Sequence, residues 1–173
     1  GDEVFGNAGD DVLFVIDVSL GAEFSEQPWS GGVNDLYDGG AGEDLIVVND
    51  DIDITLSNIN LQMSVYGNHT AGNIEVAHLT GGASANTIDA ASFSGRTIIR
   101  GKGENDILRG GSDTDVIEGG DGDDTITANA GDDTITGGAG TNTLTGGHDD
   151  DTYVFNDITA IDTVLESAAG GDD

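Results

Sequence analysis

The sequence has no cysteine, one proline, four Lys and Arg against 34 acids, and no long apolar run. Each scarcity excludes something. Without cysteine, neither disulfides nor thiolate zinc sites hold the chain together. At a formal net charge of -30, nucleic acid is not a natural partner, because its phosphates would be repelled. No stretch approaches the roughly 20 apolar residues of a membrane helix, so no transmembrane segment is expected. No N-terminal signal peptide is visible. The chain starts and stops inside repeat units and reads as an excerpt of something longer. Aromatics make up only 5%, and composition alone would suggest disorder.

What is present argues for order. The acids are 26 Asp and only 8 Glu. Asp is the shorter carboxylate, suited to tight turns and to metal coordination near the backbone. The aspartates also recur at a fixed period. From Gly101 the chain falls into six gapless nonamers: GKGENDILR, GGSDTDVIE, GGDGDDTIT, ANAGDDTIT, GGAGTNTLT and GGHDDDTYV. Position 6 reads Asp106, Asp115, Asp124, Asp133, Asn142, Asp151, and position 8 reads Leu108, Ile117, Ile126, Ile135, Leu144, Tyr153. The frame recurs at Gly6–Phe14 and Gly39–Val47, more weakly at Gly81–Asp89, and with Thr97 at position 6 in the segment 92–100.

Glycines at positions 1, 2 and 4 permit the positive φ of a tight turn. The single large apolar residue at position 8 predicts a short strand with one side chain pointing inward. So short a unit must stack on its neighbours. If two nonamers make one winding, each turn lies over the turn 18 residues later. Parallel strands are about 4.8 Å apart and Ca–O bonds about 2.4 Å long, so two stacked carboxylates can share one Ca²⁺. Mg²⁺, with bonds of about 2.0–2.1 Å, fits poorly. The expected pairs are Asp106 with Asp124, Asp115 with Asp133, and Asp133 with Asp151. Asp124 with Asn142 lacks one carboxylate. Asp35 over Asp2, Asp44 over Asp11, and Asp173 beyond Asp151 extend the scheme, and Asp162 keeps a position-6 role in a frayed stretch.

GGDGDDTIT resembles the RTX (repeats-in-toxin, haemolysin-type) nonapeptide of secreted bacterial proteins at every fixed position. That resemblance implies an all-β fold, a right-handed parallel β-roll (solenoid) with irregular longer coils in the middle. It implies Ca²⁺ as cofactor, about five ions by the pairs above. It also implies export by type I secretion machinery to an extracellular or cell-surface location. Backbone carbonyls near positions 1 and 3 of one turn and 2 and 4 of the next would complete each site. These are Gly6 and Ala8 with Gly40 and Gly42; Gly101 and Gly103 with Gly120 and Gly122; Gly110 and Ser112 with Asn129 and Gly131; Gly119 and Asp121 with Gly138 and Gly140; and Ala128 and Ala130 with Gly147 and Asp149.

Three regions follow: N-terminal repeats over 1–47 with a loop at 16–30, irregular solenoid coils over 48–100, and the nonapeptide block over 101–173. The loop holds Trp29 and Pro28 and is expected to cover an open edge. Residues 50–65 alternate apolar and polar, as strands with one buried face do. The four cations, Arg96, Arg100, Lys102 and Arg109, sit in one stretch. They are read first as solvated surface charge; the sharper alternative is that they replace calcium charge where the repeat is degenerate, with Arg96 neutralising the open side of Asp115. Arg100 and Glu118 should be cross-strand neighbours. No HExxH helix or GxSxG elbow occurs. The Asp50, Asp51, Asp53 cluster has no cation near it in sequence to stabilise a developing anion. The expectation is a non-enzymatic calcium-binding module. A carbohydrate-binding or carbohydrate-active module that takes polysaccharide, or a surface adhesin segment, is the alternative.

Overall fold

A computed structural model describes residues 3–5, 12–17, 36–64, 67–157 and 161–166. None of them is helical. In the nonapeptide block each unit gives a tight turn and then a strand that begins at position 7. These strands are β11 (Ile107–Arg109), β12 (Val116–Asp121), β13 (Thr125–Ala130), β14 (Thr134–Ala139), β15 (Thr143–His148) and β16 (Thr152–Val154). Successive strands alternate between two sheets, so pairing is parallel and falls 18 residues away. Ile107, Leu108 and Arg109 lie beside Thr125, Ile126 and Thr127. Val116, Ile117 and Glu118 lie beside Thr134, Ile135 and Thr136.

The same alternation runs toward the N-terminus through β1 (Glu3–Phe5), β2 (Val12–Asp17), β3 (Leu36–Asp38), β4 (Leu45–Asn49), β8 (Val76–Thr80), β9 (Thr87–Ser92) and β10 (Arg96–Gly103), and ends with β17 (Thr163–Val164). Among the described residues this makes a ten-stranded and a seven-stranded sheet. The architecture is a parallel β-solenoid.

The irregular middle takes the form of an antiparallel meander rather than further parallel windings. It consists of β5 (Ile54–Ser57), β6 (Asn60–Met63) and β7 (Gly67–Gly72). The cause is local. Only Asn58 and Ile59 separate β5 from β6, and the Ser57 hydroxyl accepts the Asn60 N–H at 3.1 Å. A connection that short can join only antiparallel strands, since a parallel pair needs a dozen or more residues. The meander is spliced into the ten-stranded sheet, with β7 parallel to β3 and β5 parallel to β9. In the other sheet β4 and β8 stay adjacent. The period-2 pattern holds: Ile54, Leu56, Leu61 and Met63 are buried.

The core is the space between the sheets. Position-8 residues Leu108, Ile117, Ile126, Ile135 and Leu144 are fully buried and stack as two ladders, with partly buried Tyr153 ending one of them. Each such residue contributes about 1.5–3 kcal/mol. With one per strand, the turns must supply a large share of the remaining cohesion.

Candidate metal sites in the turns

The position-6 side chains are drawn inside. Asp106, Asp115, Asp124, Asp133 and Asp151 are buried, as are Asn86, Thr97 and Asn142 at the same position. A buried carboxylate is costly unless it is paired or well hydrogen-bonded. One oxygen of each has a donor. Asp124 Oδ1 accepts the Asp106 N–H at 2.8 Å. Asp133 Oδ1 accepts the Asp115 N–H at 2.7 Å, and Asp151 Oδ1 the Asp133 N–H at 3.0 Å. Asp106 and Asp115 reach Asn86 and Thr97 in the same way, at 2.7 and 2.6 Å. Position 6 of one winding is thus tied to position 6 of the winding before it.

The second oxygen differs between turns. Oδ2 of Asp106, Asp124 and Asp133 is buried and receives no hydrogen bond from any described residue. Asp115 Oδ2 instead accepts the Gly111 N–H at 2.6 Å. Burial pushes the Asp106 carboxyl up to about 6, with the Asp124 charge adding to it. Burial likewise pushes Asp133 up to about 7, against the lowering effect of the Asp115 N–H bond. Asp115 and Asp124 are raised for the same first reason.

Position 1 explains where Oδ2 points. A Cβ placed on Gly101 would strike Asp106 Oδ2 and the Gly119 carbonyl; one on Gly119 would strike Asp124 Oδ2 and the Gly137 carbonyl. Gly110 stands in the same relation to Asp115 Oδ2 and the Ala128 carbonyl. Where position 1 is glycine it serves for room, not for φ, since these glycines lack positive φ, contrary to the expectation from the sequence; the turn of Asp133 instead accommodates the buried Ala128 there. Positive φ belongs to positions 2 and 4: Lys102, Gly120, Asn129, Gly138 and Gly147, and Glu104, Gly122, Gly131, Gly140 and Asp149. There the carbonyls of Gly120, Gly122 and Asn129 face Gly138, Gly140 and Gly147 of the next winding. Where Asp113 takes position 4, neither it nor Gly111 has positive φ, and that is the turn whose own N–H fills Asp115 Oδ2.

Beside Asp106 and Asp124, then, an anionic oxygen and a carbonyl oxygen from the next winding converge with no proton between them. Two acceptors in a buried gap repel each other unless a cation lies there. An all-oxygen donor set of carboxylate and carbonyl fits a hard divalent ion.

The structure brings Asp106 to Asp124, Asp115 to Asp133, and Asp133 to Asp151, and places Gly103, Asp121, Ala130 and Ser112 in the adjoining backbone. Asp44 is buried, with Gly40 and Gly42 in its turn at positive φ. Its N–H donates to Glu75 Oε2 at 3.0 Å. Glu75 fills the position-6 role above it, because Leu45 pairs with Val76. The meander sets the two 31 positions apart, so no fixed period could reveal Glu75. Asp162 takes the same role above Asn142, whose N–H it accepts at 3.0 Å. Asp2, Gly6, Ala8, Asp11, Asp35 and Asp173 lie outside the described residues, as does the expected loop from residue 18 on with Trp29; Ile16 and Asp17, expected to open that loop, instead end β2 beside Val48 and Asn49.

Two other expectations resolve. Arg100 does pair with Glu118, at 3.6 Å. Arg96 does not serve Asp115: it reaches Glu43 at 3.4 Å, and two backbone N–H groups already serve Asp115. The Asp50–Asp53 cluster links windings. Asp51 accepts from Ser84 and Asn86, and Asp53 accepts from Thr87.

A family model described as the RTX calcium-binding nonapeptide repeat, in four copies, matches residues 1–15, 92–126 and 118–153. Such repeats imply Ca²⁺ binding and are typically structural. No curated protein matches the chain.

Proposed function

We propose that this chain, which carries RTX calcium-binding nonapeptide repeats, is a calcium-folded structural module of a secreted protein and has no catalytic role. The observation that carries this reading is the set of buried Oδ2 atoms of Asp106, Asp124 and Asp133, each without a proton donor among the described residues. With Ca²⁺ bound, these oxygens and the turn carbonyls would serve as its ligands. Asp106 with Asp124, Asp124 with the Asn142 amide oxygen, and Asp133 with Asp151 would bound the gaps. The ion supplies the positive charge that lets like charges stack.

Without Ca²⁺ the same carboxylates repel, and a chain at -30 resists compaction. Ten-fold excess over Kd gives about 1.4 kcal/mol per site, so a few sites decide the balance in a marginally stable domain. Extracellular calcium modules bind at about 10⁻⁴–10⁻³ M. Sites of that affinity stay empty inside a cell and fill outside it, which couples folding to export, by type I secretion machinery in the RTX resemblance.

Far-UV circular dichroism of the full chain during a CaCl₂ titration tests the proposal. A cooperative gain of β signal that chelator reverses, and that MgCl₂ does not reproduce, is the expected result. A spectrum indifferent to calcium and chelator would refute it.

A further inference from the structure

One edge of the roll carries position-6 residues Asn86, Asp106, Asp124 and Asn142, followed by Asp162. They bound four successive gaps. In the inner two, Oδ2 of Asp106 and of Asp124 meets a carbonyl and no donor. In the outer two, an N–H stands where the inner gaps lack one. At the lower end, Asn86 Oδ1 lies beside Gly81 and the Gly101 carbonyl, but it accepts the Gly82 N–H at 2.7 Å. Its Nδ2 turns to Asp51 Oδ1 at 3.1 Å. At the upper end, Asn142 Nδ2 lies against Gly137, where Asp124 Oδ2 lies against Gly119. It donates to Asp162 Oδ1 at 3.0 Å. The other side of that amide, Oδ1, accepts the Asp124 N–H at 2.8 Å. Each amide has an N–H on one side and a carboxylate on the other, which fixes which end is oxygen.

We infer that Asn86 and Asn142 delimit the row of cation sites on this edge: calcium enters the two gaps between them, while the Gly82 N–H closes the gap beyond Asn86 and the Asn142 amide N–H closes the gap beyond Asn142. The inference rests on the calcium-binding reading above. Its physical basis is the exchange of one atom. An aspartate at position 6 presents a second acceptor to the next winding and leaves a demand for positive charge. Asn142 presents a donor there and the demand disappears; at Asn86 the gap-facing oxygen is met by the Gly82 N–H, as Asp115 Oδ2 is met by the Gly111 N–H. The flanking windings are joined without an ion, and the meander at one end and the frayed stretch at the other abut closed turns.

Calorimetric titration of CaCl₂ into the full chain tests this by stoichiometry. Asn142→Asp sets a carboxylate oxygen against Asp162 in place of the amide donor. This variant should bind one more calcium per chain than the wild type and should need more calcium to order. Asp162→Asn should leave the count unchanged, because its gap holds no ion. The inference is overturned if Asn142→Asp, shown to be folded in calcium by circular dichroism, keeps the wild-type count, or if Asp162→Asn loses one ion. If Asn142→Asp fails to fold, the Asp162→Asn count decides. A wild-type chain that binds no calcium takes down the underlying reading as well, a result distinct from an unchanged count.

Discussion

Protons should partly replace calcium in this protein. The perturbation is acidification from pH 8 to 4 in calcium-depleted buffer. The buried carboxyls of Asp106 and Asp133 stand at about 6 and about 7 in the folded chain, against 3.8 as the ordinary value. Because the folded pKa is raised, ionisation penalises the folded state, and the folded chain binds more protons than the unfolded one between the two values. Calcium-free stability should therefore rise as pH falls through 7 and then 6, and level off near 3.8. At about 1.4 kcal/mol per unit, the two groups relieve roughly 3 and roughly 4 kcal/mol. Calcium needs the ionised forms, so its apparent affinity should fall across the same window. Urea denaturation followed by far-UV circular dichroism, at several pH values with and without calcium, measures both arms. Asp133→Asn separates the local effect from relief of the overall negative charge: its calcium-free stability should lose about one proton's worth of pH dependence between pH 7 and 4. Calcium-free stability that stays flat or falls on acidification, or an Asp133→Asn profile parallel to the wild type, would refute the reasoning.

Gly119→Ala should weaken calcium binding and cost about 1–3 kcal/mol as overpacking, because its Cβ meets Asp124 Oδ2 and the Gly137 carbonyl; calcium-dependent melting compared with Gln62→Ala, at an exposed position in the meander, checks it. Ile126→Ala removes a fully buried rung and should cost about 2–5 kcal/mol in saturating calcium, read by urea midpoint. Arg100→Ala should cost only about 0.2–1 kcal/mol, since both partners of its ion pair with Glu118 are about half exposed, and high salt should erase the difference.

Much was legible in the sequence because the regular block is close to one-dimensional. Once each nonamer supplies a turn and a strand, two per winding, the 18-residue spacing sets every neighbour, and the pairing of Ile107 with Thr125 follows by counting. The meander broke the count. Its apolar alternation was visible, but alternation states only that one face is buried, and strand direction was decided by a two-residue connection. Glu75 above Asp44 was hidden for the same reason, since register, not sequence distance, put it there.

The sequence by itself determined the repeat, the inward position-8 ladder, the carboxylate chemistry and the ion it suits, because all of these depend on residue type at a fixed period. The tertiary structure alone decided which carboxylate oxygens have donors. Asp115 and Asp124 occupy the same position in near-identical motifs, yet one Oδ2 takes the Gly111 N–H and the other takes nothing among the described residues. That difference depends on whether a turn's own backbone can aim an N–H at its aspartate. Backbone direction is set by the windings packed above and below.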